Sequence, residues 1–370
     1  MSRPSVLSFG YRGVSSGRSA LVLDALERDG FEILHHEVPF EKRLKLLRFS
    51  LAILTAARAD IVFLRFPYFP WLTKCAVLLK RRLEARLVVD AMVSAYDTNV
   101  LDRRLCAPDS PAAMKCRRED ATISENADLL VVDTQTHGEY LAAECGWNMR
   151  KMVVVPLGSP SCEMSEAMAP KLTSETRDFQ VLYLGSYVPL HGIETMIQGI
   201  RMAASHLPSA RFDFYGRGQD YDLARRVAEG IPNIHFYDSV PPAIAAELAR
   251  NADIIMGIFG TSTKARSVVP YKIFDALAIG RPAITMRSPA AFEMLRHGED
   301  SWLVEPTAEG IADGILHLAQ HPELRAKMAE GARAAYLNRF HSSVTIKPLV
   351  ARIEALCANN DRAGIIDRSR

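Results

Sequence analysis

The sequence predicts an α/β protein of two consecutive doubly wound domains, each a Rossmann-like parallel sheet with helices around it. Three observations predict this class. Short apolar runs alternate with helical patterns from the first residues; the alternation breaks at a polar, proline-containing stretch, 159–179, and then restarts; and 370 residues are too many for one hydrophobic core.

In the first series the strand-like runs are 6–9, 33–37, "ADIVFLRFP", "ARLVVDAMV", "ADLLVVDT" and "KMVVVPLG", with a helix from about Gly17. Apolar runs without polar alternation fit strands buried on both faces, as in parallel sheets. The second series reads "QVLYLG", "ARFDFYG", "PNIHFYD", "ADIIMGIFG", "RPAITM" and "DSWLVEP", with "DLARRVAEG" and "AEGIADGILHLAQ" among its helices. A last helical stretch, about 322–357, is broken near "NRFHSSV" and leads to a polar tail from Ala358. The expected domains are 1–170 and 171–335, with 336–370 a C-terminal helix packing back on the first domain, plus the tail.

Composition bounds the function. Hydrophobic residues at 48% and charged residues at 24% are ordinary for a soluble globular chain, and a net charge of +2 supplies no field for nucleic acid. The six cysteines (75, 106, 116, 145, 162 and 357) form no CxxC pair, so neither a zinc site nor a disulfide framework is expected, and a reducing cytoplasm fits. "MSRPSVLSFG" leaves no room for a secretory apolar region, and 49–57 falls far short of the roughly 20 residues of a spanning helix. Two stretches suit a peripheral position on the inner face of a membrane. "EKRLKLLRFSLAIL" sets Lys42, Arg43, Lys45 and Arg48 against leucines at helical spacing, and "FPYFPWLTKCAVLLKRR" adds Tyr68, Phe69 and Trp71 beside further cations. Such helices fit an anionic interface; the alternative is that the leucines pack on the sheet.

The stretch "KARSVVPYKIFDALAIGRP", 264–282, concentrates charge at a helix start. Pro270 suits the first turn and Gly280 with Pro282 supplies a stop, so the spacing predicts a helix over 271–279. Free N–H groups and the positive dipole end favour an anion there, whereas Lys272 in the first turn opposes the dipole unless an anion arrives. Lys264, Arg266 and Lys272 therefore read as a diphosphate site, with Asp275 on the same face as an acceptor for a ribose diol. The alternative is a solvated basic loop with a surface Lys272–Asp275 pair. Gly10, Gly13 and Gly17 follow a strand and precede a helix, which lets backbone amides approach a phosphate. Glu37 lies 20 residues beyond Gly17, as a nicotinamide dinucleotide fold would need, but the spacing is not GxGxxG. Asp220 and Asp222 in "DYD" mimic a metal-binding DxD, yet they open a helix where acidic residues serve capping and the dipole, so no metal is expected.

In register, "VPYKIFDALAIGRPAI" resembles the PxKxxEAxAxGxPVI signature of the retaining GT-B glycosyltransferases of group 1, the family 4-like type. "VLYLGSYVPLHGIETMIQGI", "FDFYGRG", "NIHFYDSVPPAIAAELARNADIIMGIFG" and "AAFEMLRHGEDSWLVEP" extend the resemblance, in order, over most of the chain. The resemblance implies two Rossmann-like domains facing across a cleft, and transfer of a sugar from a nucleoside diphosphate sugar to the hydroxyl of a glycan, lipid-linked or small-molecule acceptor. Configuration is retained, without metal or cofactor. The first domain would take the acceptor and the second the donor. Donor contacts carried over to this sequence fall on Gly10, Gly13, Ser186, His191, Gly216, Ser239, Val240, Lys264, Arg266, Lys272 and Asp275, with Arg266 and Lys272 stabilising the leaving diphosphate.

The sequence departs from the family at named positions. Ser267 stands where the first of two glutamates is usual, Asp275 taking the second place; Ser186 and His191 stand near a usual arginine and lysine; Met92 stands where a histidine often follows an aspartate like Asp90. On the acceptor side Ser94, Asp97 and Asp102 are the polar candidates at a strand end, Asp97 as the base or orienting group for the hydroxyl, or simply an Asx turn. His137 is a further acceptor candidate, or a surface residue at a helix start. A nucleotide-sugar epimerase of the same fold, a non-catalytic nucleotide-sugar-binding partner of another transferase, and an oxidoreductase remain alternatives.

Overall fold

Twelve strands, all paired in parallel, are present among the described residues of the structure, a computed structural model. It describes residues 3–13, 16–39, 45–67, 70–160 and 178–367, with side chains at all of these except 45–48 and 359–367. Lys42, Arg43, Tyr68, Phe69, the side chains of Lys45 and Arg48, and 161–177 of the expected linker lie outside it. The chain divides into two units, 1–156 with 342–370, and 157–341.

The first unit holds β1 (Ser5–Tyr11), β2 (Glu32–Val38), β3 (Ile61–Leu64), β4 (Arg86–Asp90), β5 (Leu129–Val132) and β6 (Met152–Val154) in the order β2-β1-β3-β4-β5-β6. Apolar residues occupy both faces of its strands. Along β5, Leu130 and Val132 pack with the helices Lys45–Thr55 and Pro70–Leu83, whereas Leu129 and Val131 join Val22 and Leu26 of the helix Gly17–Arg28. That second layer also contains Ile346, Leu349 and Ile353, so the helix Lys347–Asp367 completes the first unit's core after the chain breaks around 341–346.

The second unit holds β7 (Gln180–Leu184), β8 (Arg211–Tyr215), β9 (Ile234–Tyr237), β10 (Ile254–Met256), β11 (Ala283–Met286) and β12 (Trp302–Val304), ordered β12-β11-β10-β7-β8-β9. The strand order reverses between β7 and β10, and in an open α/β sheet the crevice at such a reversal, outside the carboxyl ends of the strands, is where ligands bind. In the first unit the corresponding reversal lies between β1 and β3.

The helix expected at 271–279 spans Tyr271–Ile279. Pro270 stands one position earlier than expected, at the N-cap, and Gly280 ends the helix at φ 63, its N–H returning to the last turn. No helix of the described residues is long and apolar enough to cross a membrane.

Candidate functional site

In the second unit a polar cluster forms at the sheet reversal. β7 ends in Tyr183 and Leu184, and the chain then turns through Gly185 into the short 3-10 turn Pro189–His191. The Lys272 ammonium rests 4.1 Å from the centroid of the Tyr183 ring. A Cβ at Gly185 would lie 2.7 Å from Lys272 Nζ and 2.6 Å from the Tyr183 hydroxyl, so a side chain there would displace one of the two groups. The Tyr183 hydroxyl is 2.7 Å from His191 Nδ1, and its ring meets that of His191 edge-on.

Electrostatically the cluster is unfinished. Lys272 is 8% exposed and its Nζ has no hydrogen-bond partner among the described residues, an arrangement that costs stability unless an anion completes it. Burial pulls its pKa down to about 7. Burial, and then the Lys272 charge, hold His191 well below the usual imidazole range, so its ring is neutral. On the same helix Asp275 is half-buried and accepts a 2.5 Å hydrogen bond from the Ser159 hydroxyl. Burial pushes the Asp275 carboxyl up to about 6, and the Ser159 donor offsets part of that.

The other expected donor residues are placed less uniformly. Lys264 is buried, on the short helix Thr263–Ser267 that packs against the turn carrying His191, while Arg266 on the same helix is exposed. Ser267, at the family's first glutamate position, is buried and donates to the Thr263 carbonyl. Ser186 is exposed on the loop after β7; Gly216, at φ 126, closes the end of β8 against the Gly185 carbonyl. Ser239 is exposed and Val240 half-buried beyond β9, the edge strand, two strands from β7. Asp220 makes no side-chain cap, contrary to expectation; its backbone N–H donates to the Tyr187 carbonyl instead.

The first unit has its own polar cluster at the strand ends. Arg18, 0% exposed, donates from Nε to Asp90 Oδ1 at 2.7 Å and from Nη2 to the Val131 carbonyl at 3.0 Å, and the Ser16 and Ser19 hydroxyls bind the other Asp90 oxygen. Arg65 lies across Gly10, where a Cβ would be 2.7 Å from its Nε, and donates to Glu37 at 2.9 Å. Gly10 thus accommodates an arginine, and the Glu37 carboxylate that a dinucleotide fold would reserve for ribose is held by that arginine. Gly13, at φ 65, is exposed beyond β1.

The acceptor candidates are all internal. Asp97 opens a π-helical turn, Asp97–Asp102, rather than an Asx turn. Its Oδ1 accepts from the Tyr140 hydroxyl at 2.6 Å. Ser94 donates to Asp120 at 2.7 Å and receives the Asp97 N–H and the Cys145 thiol, which uses the full capacity of its hydroxyl. Asp102 is buried as well. His137 is 0% exposed and not a surface residue; its Nδ1 pairs with Asp133, and its Nε2 is buried without a partner among the described residues. Burial pushes the Asp133 carboxyl up, but the His137 ring and the Arg18 guanidinium outweigh it and hold the group below the usual range.

Tyr183, Ser159, Arg18, Arg65 and Asp133 were not singled out from sequence. A tyrosine inside the apolar run "VLYLG" was the available signal, since a buried phenol needs a polar partner.

Residues 178–321 match the family of group 1 glycosyl transferases. No curated protein matches the chain. Among solved structures, Anabaena HepE in complex with UDP-glucose is 16% identical at a TM-score of 0.70, covering 96% of this chain and 100% of its own. Sucrose-phosphate synthase from Thermosynechococcus elongatus is 14% identical at a TM-score of 0.71, with the same coverage of 96% and 100%. The pneumococcal O-GlcNAc transferase GtfA, solved with UDP and GlcNAc, is 17% identical at a TM-score of 0.59, covering 85% of this chain and 60% of that one. At these identities the likeness is one of fold.

Proposed function

We propose that this chain, whose residues 178–321 match the group 1 glycosyl transferases and whose fold is that of GT-B glycosyltransferase structures, moves a sugar from a nucleoside diphosphate sugar to an acceptor hydroxyl with retention of configuration. The observation that carries this is Lys272: a buried ammonium without a hydrogen-bond partner among the described residues, at the reversal of the second sheet. An arriving diphosphate supplies the missing anion, and Lys272 with the His191 ring stabilises the charge that develops when the bond from sugar C1 to the phosphate oxygen breaks and its electron pair leaves with the diphosphate. Lys264 and Arg266 add positive charge on the neighbouring short helix, and Asp275 takes the ribose. The acceptor hydroxyl adds to C1 on the face from which the diphosphate departs, as in the retaining members the sequence resembles. His137 and Asp97 of the first unit are the groups proposed to orient that hydroxyl and receive its proton. No metal is assigned a role.

Structures of the same fold hold UDP-glucose or UDP with GlcNAc, which makes UDP-sugars the first donors to try. The experiment is a panel of nucleotide sugars and acceptors assayed for release of nucleoside diphosphate. Release that requires both donor and acceptor, and that Lys272→Ala abolishes, supports transfer. Interconversion of the donor sugar with no acceptor present would favour an epimerase and contradict it.

We also propose contact with an anionic membrane surface on its cytoplasmic side. Leu51, Leu54, Trp71 and Leu78 are exposed on the helices Lys45–Thr55 and Pro70–Leu83, and the Lys74 ammonium lies 5.8 Å above the Trp71 ring. Exposed apolar groups beside a cation suit an interface. Sedimentation with anionic vesicles at low salt tests this; protein left in the supernatant would contradict it.

A further inference from the structure

We propose that Tyr183 is the positioning residue of the donor-phosphate site: its hydroxyl donates to His191 Nδ1 and so fixes the imidazole as the tautomer that presents Nε2–H to an ionised phosphoryl oxygen. This rests on the donor reading above and deepens it.

The direction of the hydrogen bond follows from a count of protons and lone pairs. The hydroxyl has one proton and lies 2.7 Å from His191 Nδ1. Among the described residues Nδ1 is the one acceptor within hydrogen-bond distance of the hydroxyl, so a proton on Nδ1 would leave the hydroxyl's own proton buried without a partner. The ring of His191 is neutral, as its burial beside Lys272 requires, and a neutral imidazole that accepts at one nitrogen carries its proton on the other. His191 Nε2–H has no partner among the described residues.

Tyr187, which packs on Tyr183, sits at φ 40, in the left-handed region, a conformation that strains a bulky residue and is held only where the surroundings dictate it. Its ring packs edge-on against Tyr183 and Tyr221, and its carbonyl receives the Asp220 N–H. The chain of donors therefore runs from Tyr183 O–H to His191 Nε2–H. The ring of Tyr183 meanwhile supports the Lys272 ammonium. One side chain thus sets both groups proposed to meet the diphosphate, where the family carries a lysine instead of an imidazole.

The test combines imidazole 15N spectra of the ligand-free protein with calorimetric titration of inorganic pyrophosphate, for wild type and Tyr183→Phe. The phenylalanine keeps the ring beneath Lys272 and removes only the hydroxyl. The wild-type His191 is expected as the Nε2–H tautomer; the variant is expected to lose that preference and to bind pyrophosphate about 10-fold more weakly, the loss of one charge-assisted hydrogen bond. A wild-type Nδ1–H tautomer, or a variant with wild-type affinity, would overturn the proposal. Because the tautomer is read without ligand, the expected tautomer combined with no affinity for pyrophosphate or UDP in the wild type would uphold the hydrogen-bond chain and contradict the donor reading.

Discussion

Each unit buries a cation at the carboxyl end of its sheet, and the two are treated oppositely. Arg18 of the first unit is met by a carboxylate, two serine hydroxyls on that carboxylate and a backbone carbonyl; Lys272 of the second has an aromatic face and, among the described residues, no hydrogen-bond acceptor. Arg18 is complete and works as structure, joining β4, β5 and the first helix. Lys272 is without an acceptor among the described residues, and the proposal that it meets an anion rests on the cost of leaving a buried charge so.

The largest effect expected from this contrast is on stability. Arg18→Met leaves Asp90 buried and uncompensated and should cost about 3–5 kcal/mol in chemical denaturation. Lys272→Met removes a charge that no hydrogen bond among the described residues satisfies, so the ligand-free variant should unfold at the same or a higher temperature than wild type. Equal destabilisation by the two substitutions would remove the distinction.

The pH profile of stability sharpens the same point. The native Lys272 pKa of about 7 lies below its ordinary 10.5, so between those values the unfolded chain binds more protons and wild-type stability rises with pH. Asp275 works the other way: its native pKa of about 6 lies above its ordinary 3.8, the native state binds more protons between them, and stability falls as pH rises through that window. Denaturation followed from pH 4 to 10 should show both slopes, and Lys272→Met should lose the alkaline one. The smallest effect belongs to Ser159→Ala, which takes the donor from Asp275 and should cost about 1 kcal/mol while moving the acidic slope to higher pH.

How much was legible beforehand follows the same division. All twelve strands were readable: the inner ones, buried on both faces, leave no polar alternation to confuse them, so that "QVLYLG" marked β7 as plainly as "ADIIMGIFG" marked β10, whereas the half-exposed edge strands β2 and β9 carry histidines and were read from the regular spacing of the runs. The helix Tyr271–Ile279 was readable at both ends, since Pro270 and Gly280 act locally, although Pro270 is the N-cap and not part of the first turn. The charge at its start was readable too, but not its state. Whether Lys272 meets a carboxylate depends on side chains far away in sequence, as the Arg18–Asp90 pair, 72 residues apart, shows from the other side. His137 was open to reading as a surface residue for the same reason: its helix start is a local fact, and the pairing that buries it with Asp133 depends on packing. Tyr183 looked like core because it is core, and its second role lies in one oxygen atom.

The most direct test of Lys272 as the unsatisfied partner of a diphosphate is calorimetric titration of UDP at pH 7 into wild type and Lys272→Met, in two buffers of different ionisation enthalpy. The account predicts that wild type binds with uptake of roughly half a proton, as a group half-charged at that pH becomes fully charged, and that the variant loses at least about 100-fold in affinity, a charged hydrogen bond of about 3 kcal/mol, together with the proton uptake. Equal affinity in the two proteins, with equal proton uptake, would contradict it.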